Sequence, residues 1–445
     1  MTYENRYDVS TWPVGDPLED IGEVLNSIIA DVHQRQSAST PPYGGKPGAV
    51  IYIPPGDYRL RTQVLIDISF LRIEGSGHGF TSSSIRFNVP EDQWEGLHEL
   101  WPGGSRILVD IPRERGDDTA GAAFRVERSG DPRISSVEFV DFCLDGLHFQ
   151  EDESDLPAEN TYSNGKTGIL VASPNDSFRI SGMGFVYLEN ALTIYKADAL
   201  SVQDNFIAEC GSCIELKGWG QASKINDNFI GAGFKGESIY AENHGGLLIA
   251  GNNVFPRGSS SVHLHGVTRS SVTGNRLHSF YPGMLRLSGN SSENLIATNH
   301  FLRDLEPWTP FHGINNGLDD DYGLINIDGS DNSVVTNHLS LNIDGRDVTP
   351  SGSAPVVIRL RNGVGNFVSN NHVVATHVDS SQSDSCFEGQ VDSLLSKGPS
   401  GGLEVVTVSI EASSERNTVL DSGRETEILA DRSVNALRIT PEVGG

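Results

Sequence analysis

The most regular feature of the chain is an apolar run that ends at an Asn and continues with one or two further apolar residues. From residue 200 onward it appears as DNF (204–206), DNF (227–229), NNVF (252–255), GNRL (274–277), TNHF (298–301), TNHL (336–339) and NNHV (370–373). The Asn positions assigned to this repeat, 205, 228, 253, 275, 299, 337 and 371, are separated by 23, 25, 22, 24, 38 and 34 residues. A period near 23 with occasional insertions is typical of a β-solenoid.

The segments between these Asn residues alternate as strands do. GLLIAGN, SSVTGN, ENLIATN and NSVVTN place every second aliphatic side chain on one face. Asn tolerates the left-handed backbone of a tight turn, and its amide can bond to the next coil, so stacked Asn residues are expected to form a ladder. We predict an all-β parallel β-helix. A large sandwich, the alternative, would show two-residue hairpin turns and no fixed step.

One long helix is predicted ahead of the strands. Asp16 and Pro17 form a good N-cap and first turn, and apolar residues follow at helical spacing: Leu18, Ile21, Leu25, Ile28, Ile29 and Val32. The end of a solenoid exposes strand edges and apolar core, so this helix is expected to cap the first coil. We divide the chain into an N-terminal segment, 1–46, and a β-helix domain, 47–445. A Ser-, Asp- and Gly-rich insertion at about 376–405 is predicted as a lid, a disordered insert or an arm to another subunit.

Charge and hydropathy narrow the possible partners. The 445 residues carry a formal net charge of -27, which argues against binding to nucleic acid or to an anionic membrane surface. No run approaches 18 apolar residues, and MTYENRYDVSTWPVGD lacks a basic segment followed by an apolar one. We therefore expect a cytoplasmic protein, or a secreted one if a leader has been trimmed.

The cysteines and histidines give no metal or cofactor prediction. Cys210 and Cys213 form a CxxC, but Cys143 and Cys386 stand alone, so the second pair of a zinc site is missing. The pair also falls at a strand turn, whereas the CxxC of a redox protein would lie at the start of a helix. His300, His338 and His372 each follow a repeat Asn and are interpreted as part of the repeat. The run Asp319, Asp320 and Asp321 is either a solvated loop or a sugar-contacting one.

The segment 201–216, SVQDNFIAECGSCIEL, is interpreted as one coil with the repeat Asn205 at its first turn. In its last strand Ile214 and Leu216 are expected to point inward, and Cys213 and Glu215 outward. Asp204 lies beside the turn, so two carboxylates could reach one outer surface and perform glycosidic acid/base chemistry. Position alone leaves solvated surface carboxylates as the more common outcome, and it makes Glu209 as good a candidate as Asp204.

Longer strings resemble the inulin fructotransferases and the related difructose dianhydride III (DFA III) hydrolases. They include PGAVIYIPPGDYRLRTQV, RSGDPRISSVEFVDFCLDG, NGKTGILVAS, ISGMGFVYLENAL, ADALSVQDNFIAECGSCIEL, NNVFPRG, FYPGMLRL and NGLDDDYG, which together span roughly residues 7–375. The resemblance implies a right-handed parallel β-helix that assembles as a homotrimer with active sites between subunits. It also implies that Asp204 and Glu215 are the catalytic pair, in preference to Glu209.

The resemblance implies an activity as well. In the transferases the substrate's own 3-hydroxyl attacks the anomeric carbon as the β-2,1 bond breaks, so we expect Glu215 to act as acid/base and Asp204 to orient the sugar. The absent leader and the Cys386-containing insertion favour the hydrolase branch, which opens DFA III to inulobiose, with transfer on inulin retained. The alternative is a DFA III-forming inulin fructotransferase.

The substrate expected from the resemblance is a fructan or a difructose dianhydride. Further substrate contacts are predicted at Glu209, Tyr281, Arg286 and Asp319. Two rivals from other classes are a calcium-dependent pectate-type lyase, which the negative charge disfavours, and a non-catalytic β-helical adhesin, which would bind sugar without turnover.

Overall fold

A computed structural model describes residues 5–36, 47–79, 103–111, 121–148, 163–231, 237–255, 260–279, 281–303, 321–344, 354–378, 401–402, 405–420, 422, 427–429 and 434–438. They fall into two compact units, unit 1 (Met1–Lys235) and unit 2 (Gly236–Gly445). No helix among them is long and apolar enough to cross a membrane. The predicted boundary at 46/47 falls in a stretch outside the described residues and stays a prediction.

Unit 1 contains one helix and short strands throughout. In chain order these are β1 (Arg6–Asp8), α1 (Pro17–Gln36), β2 (Ala49–Tyr52), β3 (Gly56–Leu60), β4 (Val64–Ile66), β5 (Leu71–Glu74), β6 (Ser105–Val109), β7 (Ala122–Val126), β8 (Ile134–Ser135), β9 (Glu138–Val140), β10 (Cys143–Asp145), β11 (Thr167–Val171), β12 (Asn175–Asp176), β13 (Arg179–Ser181), β14 (Gly184–Val186), β15 (Asn190–Tyr195), β16 (Ala197–Asp198), β17 (Ser201–Gln203), β18 (Phe206–Ala208), β19 (Ser212–Lys217), β20 (Gly220–Gln221), β21 (Lys224–Asn226) and β22 (Phe229–Gly231).

These strands stack in parallel, each on its counterpart one coil away. Sheet A of unit 1 has the order β1-β2-β5-β9-β13-β17-β21, sheet B the order β3-β6-β10-β14-β18-β22 and sheet C the order β4-β7-β11-β15-β19, while the smaller sheet D has the order β8-β12-β16-β20. The chain passes from sheet A to B to C within each coil, as in β17, β18 and β19. This is the predicted right-handed parallel β-helix.

Unit 2 repeats the pattern. Its strands are β23 (Glu237–Glu242), β24 (His244–Gly245), β25 (Leu248–Ala250), β26 (Asn253–Val254), β27 (Ser260–His265), β28 (Ser271–Thr273), β29 (Arg276–Ser279), β30 (Leu285–Ser292), β31 (Leu295–Ala297), β32 (His300–Arg303), β33 (Ile325–Ser330), β34 (Ser333–Val335), β35 (His338–Asp344), β36 (Val356–Arg361), β37 (Phe367–Ser369), β38 (His372–Val378), β39 (Gly401–Gly402), β40 (Val406–Ile410), β41 (Thr418–Leu420), β42 (Glu427–Leu429) and β43 (Ala436–Arg438). Sheet A of unit 2 runs β25-β28-β31-β34-β37-β41-β43, sheet B β26-β29-β32-β35-β38-β39 and sheet C β23-β27-β30-β33-β36-β40-β42.

The core is a set of inward columns. In sheet C of unit 1, Ile169 faces Leu192 and Leu192 faces Ile214 on successive strands, and all three side chains are buried. Each apolar side chain packs on the apolar side chain of the next coil, which removes apolar surface from water. The core therefore extends along the axis with each repeat.

The Asn ladder exists, with two corrections. In unit 2 the side-chain amide of Asn275 donates to Asn299 at 2.9 Å, and that of Asn299 donates to Asn337 at 3.0 Å across the 38-residue step. The ladder residue of NNVF is the buried Asn252, whereas Asn253 lies on strand β26, so the predicted position was wrong by one. The left-handed conformation also belongs to the residue before the ladder Asn, as at Gly274, with φ of 65°.

A second ladder, which the sequence analysis missed, runs along the corner before sheet A of unit 2. Asn294, Asn332 and Asn366 are linked by side-chain amide bonds of 3.0 and 3.1 Å, and Asn366 donates to Asn417 at 3.0 Å. These residues are buried, so each amide satisfies backbone and side-chain groups that would otherwise be costly to bury.

Helix α1 lies against the first coil as predicted, but it is interrupted at Asp20 (φ −154°, ψ 93°). The Asp20 carboxylate accepts from the amides of Gly22 and Arg61, both at 3.0 Å, and from the Thr62 hydroxyl at 2.6 Å. It therefore caps the continuing helix and ties it to the turn before β4. Leu18 precedes the interruption and is 61% exposed, so its predicted place on the buried face was wrong.

The insertion at about 376–405 falls largely outside the described residues. At its start β38 pairs antiparallel with β39, with Thr376 opposite Gly402 and His377 opposite Gly401. The two ends of the insertion are therefore side by side at sheet B of unit 2.

Candidate active site

Asp204 occupies the corner between β17 and β18 in unit 1. Its φ of 56° lies in the left-handed region, which Asp enters more readily than most residues, and its side chain is exposed. The next residue, Asn205, is buried and donates its amide to Asn228 at 2.8 Å and to the Ile180 carbonyl at 3.1 Å. The corner is thus held rigidly from inside, and the Asp204 carboxylate is presented outward on it.

Glu215 stands on the outer face of sheet C in unit 1. It is in register with Arg125, Leu170 and Thr193, which occupy the same position on three preceding strands. Its Oε2 accepts from the Thr193 hydroxyl at 3.0 Å and lies 3.0 Å from the Lys217 ammonium. The side chain is only 12% exposed, so it is held in a defined position.

Asp204 and Glu215 lie on either side of sheet B in one coil, and their predicted joint action stays a prediction. Asp204 precedes sheet B and Glu215 follows it, so strand β18 and a second corner lie between them. A three-residue strand spans about 10 Å by itself. Carboxyl pairs that share one glycosidic bond are about 5–9.5 Å apart. Asp204 thus belongs to the corner before sheet B, and Glu215 belongs to sheet C.

Large aromatic side chains flank both positions. Phe206 and Phe229 follow the corner carboxylates Asp204 and Asp227, and their rings stack at 6.1 Å with 52% of Phe229 exposed. Trp219, two residues beyond Lys217, is 61% exposed. Exposed aromatic surface of this kind is typical of sites that receive a sugar ring or a second protein chain.

Glu209, Cys210 and Cys213 belong to the same coil as Asp204 and Glu215. Glu209 adopts φ of 50° at the corner between β18 and β19 and is half-buried. Burial raises the pKa of the Cys210 and Cys213 thiols well above the ordinary value, which keeps them neutral. Cys213 is fully buried, but so are Leu170 and Thr193 of the outward column, so its predicted outward direction stays a prediction. Within the described ranges, no group of three or more His, Cys, Asp or Glu side chains could hold a metal ion.

The remaining predicted contacts belong to unit 2. Arg286 lies on the outer face of sheet C, with its guanidinium 4.9 Å from the centre of the Tyr322 ring. Arg361 lies 5.9 Å from the same ring and also bonds to the Asp321 carbonyl. The end of NGLDDDYG therefore meets Arg286, although Asp319 itself is outside the described residues. Tyr281 is 3% exposed, and these contacts stay predictions.

A polar network next to Arg286 was missed by the sequence analysis. His263 Nδ1 is 3.0 Å from Glu237 Oε1, and His263 Nε2 is 2.8 Å from Ser288 Oγ. Burial opposes ionisation of Glu237, but its bond to His263 and the charges of His263 and Arg286 hold its pKa below the ordinary value. The alternation in VHLHG and LRLSG, which turns His263, Arg286 and Ser288 outward, is the signal that could have revealed this surface.

Comparison with known proteins identifies the family. The profile described as a β-helix repeat of inulin fructotransferase matches residues 298–441, and that of the periplasmic copper-binding protein NosD matches residues 122–308. The DFA-I-forming inulin fructotransferase of Arthrobacter globiformis is 44% identical over 375 residues, which are 83% of this chain and 89% of that protein.

Solved structures agree. The DFA-IIIase from Arthrobacter chlorophenolicus A6 superimposes with a TM-score of 0.91 at 69% identity, covering 99% of this chain and 100% of that one. That enzyme has also been solved in complex with GF2, in complex with DFA-III and without its lid. The A-module of a mannuronan C-5 epimerase from Azotobacter vinelandii shares only the fold, at 10% identity and a TM-score of 0.52. The expected resemblance is confirmed: the chain belongs to the inulin fructotransferase family, on its DFA-IIIase branch, and is an enzyme that acts on fructans.

Proposed function

We propose that this enzyme hydrolyses DFA III to inulobiose and also acts on inulin by intramolecular fructosyl transfer. The observation that carries the proposal is the 69% identity, over 99% of the chain, to a DFA-IIIase that has been solved with DFA-III and with GF2 bound. Similarity over nearly the whole chain extends to the coil that presents Asp204 and Glu215.

In hydrolysis a carboxyl group must protonate the glycosidic oxygen that leaves, and water must reach the anomeric carbon. We assign proton transfer to Glu215. Thr193 and Lys217 both engage its Oε2, which leaves Oε1 to exchange a proton with the substrate. Lys217 then offsets the negative charge that remains after the proton is given up. Asp204 orients the sugar and stabilises positive charge at the anomeric carbon.

The separation of these two carboxylates within one chain supports an active site between subunits. If Asp204 of one subunit faces Glu215 of the next, the pair can approach to the distance that glycosidic chemistry needs. The exposed Phe229 and Trp219 give each face apolar surface that a partner subunit or a sugar would cover. A ring of three chains would repeat this heterologous contact and close it, in keeping with the proposed homotrimer.

We assign the role of a lid to the insertion at about 376–405. Its paired ends, Thr376 with Gly402 and His377 with Gly401, make it an excursion from one point of sheet B. A lid that retains a small cyclic substrate while admitting water suits hydrolysis.

The test is to incubate the purified protein separately with DFA III and with inulin, without added metal, and to separate the products by chromatography. Inulobiose from DFA III is the expected result, with DFA III formed from inulin as a second activity. Absence of inulobiose would overturn the hydrolase assignment. Asp204→Asn and Glu215→Gln should each lose turnover. Asp227→Asn is the matched control, because Asp227 occupies the same DNF corner one coil later.

The alternative is a transferase that forms a cyclic dianhydride from inulin and does not hydrolyse that dianhydride. The 44% identity to a DFA-I-forming inulin fructotransferase favours this possibility. A cyclic product from inulin, with no inulobiose from DFA III, would establish the alternative.

A further inference from the structure

The outer face of sheet B in unit 2 carries a column of imidazoles. His300, His338 and His372 begin strands β32, β35 and β38 and are in register with one another. Their ring centres are 5.1 Å and 4.9 Å apart along the column. Because each His follows a ladder Asn, the repeat that builds the core also places these rings side by side.

The last two rings are close enough to share a ligand. His338 Nδ1 and His372 Nδ1 are 2.9 Å apart, and His338 Nε2 lies 3.1 Å from Ser340 Oγ. Ser340 Oγ can accept a hydrogen bond from the Nε2–H of His338, which leaves the lone pair of His338 Nδ1 facing His372. His372 is exposed and His338 half-buried, so an ion can reach both nitrogens from solvent.

We propose that His338 and His372 form a two-histidine site for a divalent transition-metal ion of the Cu²⁺ or Ni²⁺ type. Two nitrogens bound at about 2.0–2.1 Å in adjacent positions of a square or octahedral ion are about 2.9 Å apart. The observed Nδ1 separation matches that spacing. Imidazole suits these ions, whereas Mg²⁺ and Ca²⁺ require oxygen ligands. The other coordination positions are taken by water.

Metal binding requires only a change of tautomer and leaves the number of protons on the two histidines unchanged. In the free protein one Nδ1 donates its hydrogen to the other, so one ring must carry that proton. When the ion binds to one side of the line between the two nitrogens, the proton of His372 moves from Nδ1 to its own Nε2, and both Nδ1 lone pairs bind the ion. Ser340 orients His338 as an outer-shell partner.

Binding would join two successive coils near the insertion. His338 belongs to β35 and His372 to β38, and β38 is the strand whose far end pairs with β39 at the base of the insertion. An ion that binds only the folded chain stabilises it by mass action. The proposal does not depend on the reaction that the enzyme catalyses.

The experiment is isothermal titration of the full-length, tag-free protein with CuCl₂, NiCl₂ and MgCl₂, combined with thermal unfolding. We expect one Cu²⁺ or Ni²⁺ per chain, a raised Tm with either ion and no response to Mg²⁺. His338→Asn or His372→Asn should weaken binding at least tenfold and abolish the Tm increase. His33→Asn, on helix α1, is the control and should bind as the wild type does.

Circular dichroism would show that the Asn variants remain folded. If folded His338→Asn and His372→Asn proteins bind the ion as tightly as His33→Asn does, or if the wild type binds none, the proposal is wrong.

Discussion

The separation of Asp204 and Glu215 leads to a complementation test. Asp204 lies at the corner before β18 and Glu215 lies on β19 after the next corner. Since β18, which spans about 10 Å, lies between them, we expect the two carboxylates of one chain to be too far apart for joint action on one bond. We therefore expect Asp204→Asn and Glu215→Gln chains, each inactive alone, to regain activity when they assemble together.

The size of the recovery follows from counting interfaces. If the chains assemble as the proposed homotrimer and mix randomly, a site formed by the Asp of one subunit and the Glu of the next is intact at about a quarter of the interfaces. A second mixture tests the same geometry. When wild-type chains are mixed equally with the double variant, about a quarter of between-subunit sites stay intact, against about half for sites within one chain.

The assay is DFA III hydrolysis by co-expressed chains that carry different affinity tags, purified through both tags in turn. Because selection through two tags removes the homotrimers, the expected recovery is scaled to the mixed trimers that remain. Mixed trimers no more active than either single variant would refute the between-subunit geometry. Replacing Asp204→Asn by Asp227→Asn in the mixture controls for assembly, because that partner keeps both catalytic carboxylates.

Three further predictions follow from contacts in the described residues. Asp20→Ala should destabilise unit 1 by about 1–2 kcal/mol in chemical unfolding, because it removes a helix cap together with its bond to Thr62. Burial opposes the ionisation of Asp20, but bonds from the Thr62 hydroxyl and from the amides of Arg61, Thr62 and Gly22 hold its pKa below the ordinary value. Since the folded pKa is depressed, this stabilisation is present above the unfolded pKa of about 4 and is lost as pH falls through the folded pKa. The difference between wild type and variant should therefore shrink as the solution is acidified, and a constant difference would contradict this. Asn299→Ala should lower stability by about 1–3 kcal/mol by leaving buried ladder groups unsatisfied, whereas Asn253→Ala, on the outer face, should change it little. Replacing residues 380–400 by a short Gly-Ser turn should leave far-ultraviolet dichroism unchanged, because the flanking strands pair directly, while DFA III hydrolysis falls; unchanged hydrolysis would remove the insertion from the reaction.

The sequence predicted the architecture because the repeat is written in local patterns. Period-2 alternation and recurring Asn residues are enough to specify inward columns and a ladder. The predictions were wrong where two adjacent residues are identical or where the backbone departs from regular structure. Asn252 and Asn253 are chemically identical, and only the coil geometry decides which one is buried. The break at Asp20 arises from contacts with Arg61 and Thr62, which are distant in sequence.

The candidate site was predictable only in part. The position of Asp204 is duplicated by Asp227, which has the same neighbours and nearly the same φ, 58° against 56°. Residue patterns could not separate these two carboxylates or choose between Asp204 and Glu209, and the family resemblance made the choice. The network of His263, Glu237 and Ser288 joins residues on three strands, so its assembly depends on register that the sequence does not state.

A solenoid repeats its structural residues from coil to coil. Catalytic residues are therefore expected where an outward-facing column of side chains departs from the residue type of its neighbours. In sheet C of unit 1 the outward column contains Arg125, Leu170, Thr193 and Glu215, of which only Glu215 is a carboxylate. Thr193, in the preceding coil, donates a hydrogen bond to the Glu215 carboxylate, and Lys217, on the same strand, forms an ion pair with it. The neighbours of Glu215 thus hold the carboxylate that we propose as the acid/base group. Thr193→Val tests this step, because it keeps the shape of the side chain and removes the hydroxyl. We expect kcat for DFA III to fall while the fold and the trimer persist, and an unchanged kcat would show that Lys217 alone positions the carboxylate.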